Sequence, residues 1–223
     1  ASIMRIGLIA ALRPSEDGPL RAALPIAGHS VIARQAALLR ILGVERVLCF
    51  TEEPGGPVIA LQHMLEAEGV QFHALKGFSA LPGLVRAEDD LIIVRDGLLP
   101  DPAVVRAVLG GEGGLARAVA TIPASHPLAA AYPEDFERID GQHHWAGVLA
   151  MRGAPVQQLA DFPADADAIS VLLRLALQAG TPISDLAARE LVPETWLLAD
   201  SAAVAGRHEA ALIAHAAPVA EWR

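Results

Sequence analysis

Residues 4–50 read MRIGLIAALRPSEDGPLRAALPIAGHSVIARQAALLRILGVERVLCF, and this stretch decides the fold. An apolar run from Ile6 to Ala11 stops at a segment rich in turn formers, Arg13 to Gly18. Leu24-Pro25-Ile26-Ala27-Gly28-His29-Ser30 follows, and then a helical pattern begins. Ser30 has the hydroxyl to cap that helix, Val31, Ala33, Ala37, Leu38, Ile41 and Leu42 form its apolar stripe, and Gly43 ends it. Arg46 to Thr51 reads as a buried strand. The order is strand, loop, helix, strand, and in α/β proteins the loop after such a first strand is where a phosphate-bearing ligand is held.

The alternation continues outward. Pro57 to Gly69 has helical spacing, Val70 to Leu75 reads as a short strand and Ser79 to Arg86 as a short helix. Leu91 to Val94 is an unbroken apolar run of the kind found in central strands buried on both faces, and it ends at Arg95-Asp96-Gly97. Asp101-Pro102 opens another helix as cap and first residue. Gly110, Gly111, Gly113 and Gly114 mark a break without the lysine of a P-loop, and Ala116 to Ile122 is a strand. Phe136 to Ile139, Trp145 to Met151 and Thr195 to Ala199 are read as strands, and Ala168 to Gln178 and Arg207 to Ala216 as helices. Strands alternating with helices predict an α/β fold, a mostly parallel, doubly wound sheet. After residue 125 the pattern is mixed, which predicts a second lobe or an antiparallel addition. The reading is of one domain spanning 1–223.

Composition narrows the functional classes. Hydrophobic residues make up 53% of the 223, enough for a substantial core. No apolar run approaches the ~18 residues of a membrane span. Nothing at the start has the layout of a secretory signal, and Met4 is read as the natural start. The formal net charge is −9 with no basic stretch, so there is no electrostatic case for nucleic acid. One cysteine, Cys49, excludes an internal disulfide and a cysteine-based zinc site and suits a reducing cytoplasm. Sixteen arginines stand against one lysine, Lys76, a bias expected of a GC-rich bacterial genome. His143 and His144 are adjacent on a predicted strand, point to opposite faces, and cannot easily share an ion.

Three segments resemble, in order, the nucleotidyltransferases that join a sugar phosphate or phospho-alcohol to a nucleotide. That family opens with a strand ending Ala-Ala-Gly, then Gly-x-x-Arg, a Pro-Lys pair and Leu-x-Pro-Val-x-Gly. Here the strand ends Ala10-Ala11-Leu12 and Arg13 follows; Leu20-Arg21 stands where Pro-Lys would, and Leu24-Pro25-Ile26-Ala27-Gly28 fits well. The second segment is Leu91 to Gly97, where the family has a strand ending in a magnesium-holding aspartate. The third is Trp196-Leu197-Leu198-Ala199-Asp200, against a family pattern of Trp-x-Asp-[Val/Ile]-Asp before a helix. Ala146-Gly147-Val148 is similar to the family's Ala-Gly-Ile strand. The nearest flavour is the cytidylyltransferases acting on inositol or related phospho-alcohols.

The resemblance implies a nucleotide-diphospho-sugar transferase-like fold and a site. Ala10, Ala11 and Leu12 would hold the nucleotide, Arg13 and Arg21 the reacting phosphates, and Gly28 and Gly147 would lie against the second substrate. Asp96 and Asp200 would hold Mg2+, which favours one or two carboxylates with phosphate oxygens. The implied partners are a nucleoside triphosphate, CTP by flavour, and a small phosphorylated substrate, with pyrophosphate released. A membrane-embedded transferase, separate or fused, would use the product in making a lipid headgroup; a homodimer is a further expectation. Two other readings stand beside this. Leu12, Arg21 and Leu198 replace family residues, as in a protein that keeps the fold for binding or regulation without catalysis. Asp165-Ala166-Asp167 has the letters of a glycosyltransferase metal motif, but in a proline-flanked loop.

Overall fold

Alternation along the apolar runs decides the layers. Ile6, Leu8 and Ala10 pack into one buried cluster and Ile9 and Ala11 into another; Leu91 and Ile93 divide from Ile92 and Val94 in the same way, as do Leu48 and Phe50 from Val47 and Cys49. Each strand therefore buries both faces, which is the requirement of a sheet covered on both sides. The computed structural model describes residues 3–111, 114–189 and 191–220.

In chain order the elements are β1 (Arg5–Ala11), β2 (Pro25–Ile26), β3 (His29–Ser30), α1 (Val31–Ile41), β4 (Arg46–Thr51), α2 (Gly56–Ala67), β5 (Gln71–Leu75), α3 (Leu81–Leu84), β6 (Asp90–Val94), β7 (Leu98–Leu99), α4 (Pro102–Leu109), β8 (Gly110–Gly111), β9 (Gly114–Leu115), β10 (Ala118–Pro123), α5 (Pro127–Ala131), β11 (His143–Arg152), α6 (Ala168–Gln178), β12 (Ile183–Asp185), β13 (Leu197–Leu198) and α7 (Ala202–Ala220). Seven strands form the main sheet in the order β12-β10-β11-β6-β1-β4-β5. β6, β1, β4 and β5 are parallel neighbours, and β10 and β12 are parallel to each other. β11 runs antiparallel to both β6 and β10.

The apolar run at Leu91 to Val94 lies at the centre of the sheet, as predicted. The expected antiparallel addition is present as β11, and it is inserted mid-sheet between β10 and β6. Phe136 to Ile139 is not a strand; only an isolated bridge, Arg138 to His144, pairs there. Phe136 is buried, so its apolar character reports core packing. The last helix begins at Ala202 and not at Arg207; Ser201 Oγ accepts from the Val204 N–H and starts it there. Gly110 and Gly111 pair with Leu115 and Gly114 in a small hairpin, and Gly113 lies outside the described residues.

α1, α2 and α4 cover one face of the sheet, packing Ile32, Leu39, Leu61 and Val105 against Ile9 and Ile92. α6 covers the other with Val171, Leu172 and Leu175 against Leu149 and Ile93. α7 closes a smaller cluster through Ala205 with Ile26 and Leu99. Among the described residues, no helix is long and apolar enough to cross a membrane.

Candidate functional site

β1, β4, β5 and β6 all end on one side, where an open parallel sheet receives ligands. A cleft of about 360 Å³ lies over these ends. Ala10, Leu12 and Arg13 enter it from β1, Phe50 and Glu52 from β4, Lys76 and Phe78 from β5, Arg95 and Asp96 from β6, and Asp165 and Asp167 from the approach to α6. Of the residues predicted for a site, Ala10, Leu12, Arg13 and Asp96 meet here.

Asp96 is 3% exposed. Its Oδ2 accepts the N–H of Leu12 at 2.9 Å and that of Arg13 at 2.9 Å, while Oδ1 is enclosed and accepts from nothing in the protein. Burial pushes its carboxyl above the ordinary value, outweighing the two N–H groups and the positive charges of Arg21 and Arg13. The rest of the first loop is also closed on itself. The Ser15 N–H donates to Pro19 O, Glu16 to Asp200 O, Gly18 to Ser15 O and Arg21 to Arg13 O. The amides that a glycine-rich loop would turn toward phosphates are therefore largely committed to protein acceptors.

Arg13 and Arg21 sit in a chain of ion pairs. Asp135 Oδ1 takes Arg21 at 2.9 Å and Arg13 at 3.1 Å, and Asp200 Oδ1 lies 3.7 Å from the other Arg21 nitrogen. Asp167 Oδ2 stands 3.5 Å from Arg13 and 3.4 Å from Arg95, and its Oδ1 caps α6 by accepting from Ile169 and Ser170. Burial would raise the Asp167 carboxyl, but Arg95, the Ser170 N–H and Arg13 hold it below the ordinary range. The Arg95 guanidinium lies 5.9 Å from the Trp145 ring centre, and the Arg95 side chain is 3% exposed. Lys76, the chain's only lysine, is exposed at the cleft and makes no ion pair among the described residues.

Arg95, Asp135 and Lys76 are thus site residues that the sequence did not single out as functional, and the sequence marks Asp167 only within the letters of a metal motif. Asp135 lies 114 positions from Arg21, so no local pattern announces the pair. Lys76 alone had a legible signal: in a chain so biased toward arginine, one retained lysine is conspicuous.

Gly28 and Gly147 do not line the cleft. Gly28, at φ +80°, occupies the exposed turn between β2 and β3 after Ala27 at φ +48°. Gly147, at φ +97°, packs beneath Leu98, whose Cδ2 would stand 2.9 Å from an added Cβ. In both cases backbone conformation accounts for glycine. Arg21 also lies outside the cleft lining, paired with Asp135, and so does Asp200, beside Arg21. His143 pairs with Asp140 and Asp185, and His144 Nδ1 with Phe136 O.

The fit to magnesium rests on few atoms. Among the described residues, no three histidine, cysteine, aspartate or glutamate side chains gather around one point. Asp96 contributes one uncommitted oxygen, and that oxygen is enclosed; Asp200 faces Arg21. Asp96 and Asp200 thus offer one or two carboxylates and no cage of protein ligands, and both stand near arginine charge.

No protein-family model matches the sequence, and no curated protein is similar to it. Solved structures do match in fold. A Bacillus anthracis protein assigned by its name as a glucose-1-phosphate thymidylyltransferase, in complex with a sucrose, superposes with a TM-score of 0.62 at 14% identity over 92% of this chain and 94% of that one. The inositol-1-phosphate CTP transferase from T. maritima superposes with a TM-score of 0.55 at 16% identity, over 82% and 85%. The chain has the nucleotide-diphospho-sugar transferase fold.

Proposed function

We propose that the chain binds a nucleoside triphosphate, CTP by resemblance, in the cleft over β1, β4, β5 and β6 and couples it to a phospho-alcohol or sugar phosphate. An oxygen of the substrate phosphate attacks the α-phosphorus, the bond from that phosphorus to the bridging oxygen breaks, and pyrophosphate leaves. The observation that carries this reading is the convergence of Arg13, Arg95 and Lys76 on one cleft at the strand ends of this fold. Arginine suits planar, two-point contact with phosphate oxygens, and in-line transfer needs positioning and charge neutralisation more than covalent chemistry. In this scheme Arg13 and Arg95 take the phosphate oxygens now represented by Asp167. Arg21 acts through Asp135 to hold Arg13 in place. Magnesium, when bound, would add charge neutralisation; Asp96 and Asp200 are the acids the resemblance assigns to it, and no step here is routed through it.

A second reading has its own observation. The committed amides of residues 12–21 and the Asp96 clamp favour a protein that keeps the fold for binding or regulation without transfer. One experiment separates the two. The protein is incubated with each nucleoside triphosphate, magnesium, and a panel of phospho-alcohols and sugar phosphates; pyrophosphate release is followed, and nucleotide binding is measured by calorimetry. Release that is lost in Arg95→Ala supports the enzyme. Nucleotide binding without release from any pair supports the second reading, and absence of both overturns the proposal.

A further inference from the structure

The cleft has two chemically distinct ends. Its arginines, Arg95 and Arg13, follow β6 and β1, whereas Phe50 and Phe78 come from β4 and from the turn after β5. In the sheet order, β1 stands two strands from β5 and β6 stands three, so at ~4.8 Å per strand the two ends are about 10 to 14 Å apart. At the β5 end the cleft continues into an annex of about 300 Å³, which shares Gly77, Phe78 and Ala164 with it. Pro82, Leu159 and Phe162 make up much of the remaining wall. Among the described residues no charged side chain lines the annex, and Ser79 is the only side chain there that can hydrogen-bond.

The aromatic residues of the chain collect at this end. Of five phenylalanines, Phe50 and Phe78 line the cleft, and Phe78 and Phe162 line the annex. Phe78 packs against the core cluster that holds Leu75, Leu81 and Leu159, so one aromatic wall is anchored. Phe162 is 38% exposed and leaves its ring open to solvent at the other wall. Gln157 Nε2 donates to Pro82 O at 3.0 Å, which ties the 3-10 turn Ala154–Asp161 to α3 and fixes the spacing of the two walls.

We propose that the annex receives the base of the nucleotide, its ring stacked against Phe78 and Phe162. The inference rests on the function proposed above, in which Arg13 and Arg95 take the phosphates. A nucleotide carries a polyanion at one end and a flat ring at the other, with a ribose to span the distance between arginines and phenylalanines. A cavity of about 150 Å³ accepts benzene, so one of about 300 Å³ has room for a base. A sugar phosphate or polyhydroxylated phospho-alcohol would instead bring hydroxyl groups against a wall that cannot pair them. Stacking draws on the π face that every base has, and with Ser79 alone to reach a base edge the annex supplies affinity rather than choice among bases.

The test is calorimetry on the full chain, in magnesium, with CTP and with inorganic tripolyphosphate, which carries the phosphates without a ring. CTP is expected to bind the more tightly. Phe162→Ala is expected to weaken CTP by about tenfold or more, the loss of one aromatic stacking face, and to change tripolyphosphate binding by less than about twofold. Retained tripolyphosphate binding also reports that the fold and the arginine end survive the substitution. Phe162→Trp, which keeps a stacking face, is expected to hold CTP within about threefold of the unaltered protein. Unchanged CTP binding in Phe162→Ala would overturn the inference and leave the proposed function standing. An equal loss for both probes would overturn it as well, and so would unchanged CTP binding with slower pyrophosphate release, which would put the second substrate in the annex. Failure of the unaltered protein to bind either probe would overturn the proposed function itself, and this inference with it.

Discussion

Asp135 carries more of the site's order than any residue the sequence marked. Its carboxylate is almost wholly buried between two guanidinium groups, and the Arg21 side chain is 10% exposed. Removing one partner of such a pair leaves a charge in a poorly solvated place. Asp135→Ala is expected to cost about 3 kcal/mol, read as a lower urea midpoint at unchanged slope. Asp89 gives a pH dependence. Burial alone would raise its carboxyl, but the Arg86 and Met4 N–H groups and the Arg86 guanidinium bring it below the ordinary value. A depressed folded-state pKa means that the unfolded chain binds the proton more readily. The stabilisation is therefore complete above the ordinary value of about 3.9 and is lost as pH falls through the lower folded one. Asp96 has the opposite sign: its raised pKa favours the protonated native form, and its contribution is lost as pH rises. Asp89→Asn is expected to narrow the difference in urea midpoint between about pH 7 and about pH 3, with Asp96→Asn changing it in the other direction. Neither sign could be read from sequence, because the Asp96 shift comes from burial and the Asp89 shift needs the Met4 N–H, brought from the start of the chain, beside the Arg86 groups.

At the scale of elements, the runs that name strands also name their faces, and this is why β1, β4 and β6 were legible to within a residue or so. Direction was not. Alternation is the same in a parallel and an antiparallel strand, so the insertion of β11 between β6 and β10 carried no signal in the side chains. The start of α7 was hidden for a different reason: Ala202 to Ala205 is small and apolar and shows no stripe until it meets the cluster around Ile26 and Leu99. β11 carries a local test. Gly147 has both a positive φ and Leu98 against the missing Cβ, whereas Gly28 has the positive φ with nothing within 4 Å. Gly147→Ala is expected to cost about 2 kcal/mol or more and Gly28→Ala about 1 kcal/mol, compared by thermal melts. Equal costs would mean that Leu98 yields freely.

The whole molecule is acidic, and its cleft follows suit. Arg13, Lys76 and Arg95 face Glu52, Asp96, Asp165 and Asp167, so a polyanion meets no surplus of positive charge. Such a ligand must displace Asp167 from the two arginines. Asp167→Asn removes that competitor and keeps a good helix cap, so it is expected to tighten nucleoside triphosphate binding by up to about tenfold in calorimetry. Unchanged or weaker binding would argue that the phosphates lie elsewhere. The fold was readable because it depends on runs and stops within the chain; the balance of charge was not, because it is assembled from four strand ends and a helix start. The same assembly leaves one practical consequence. With a single lysine, at the cleft, an amine-selective reagent has one side-chain target apart from the α-amino group. A fluorophore placed there would report on occupancy from inside the cleft, and the rate at which a ligand slows its attachment would be a footprint of the site before any substrate is known.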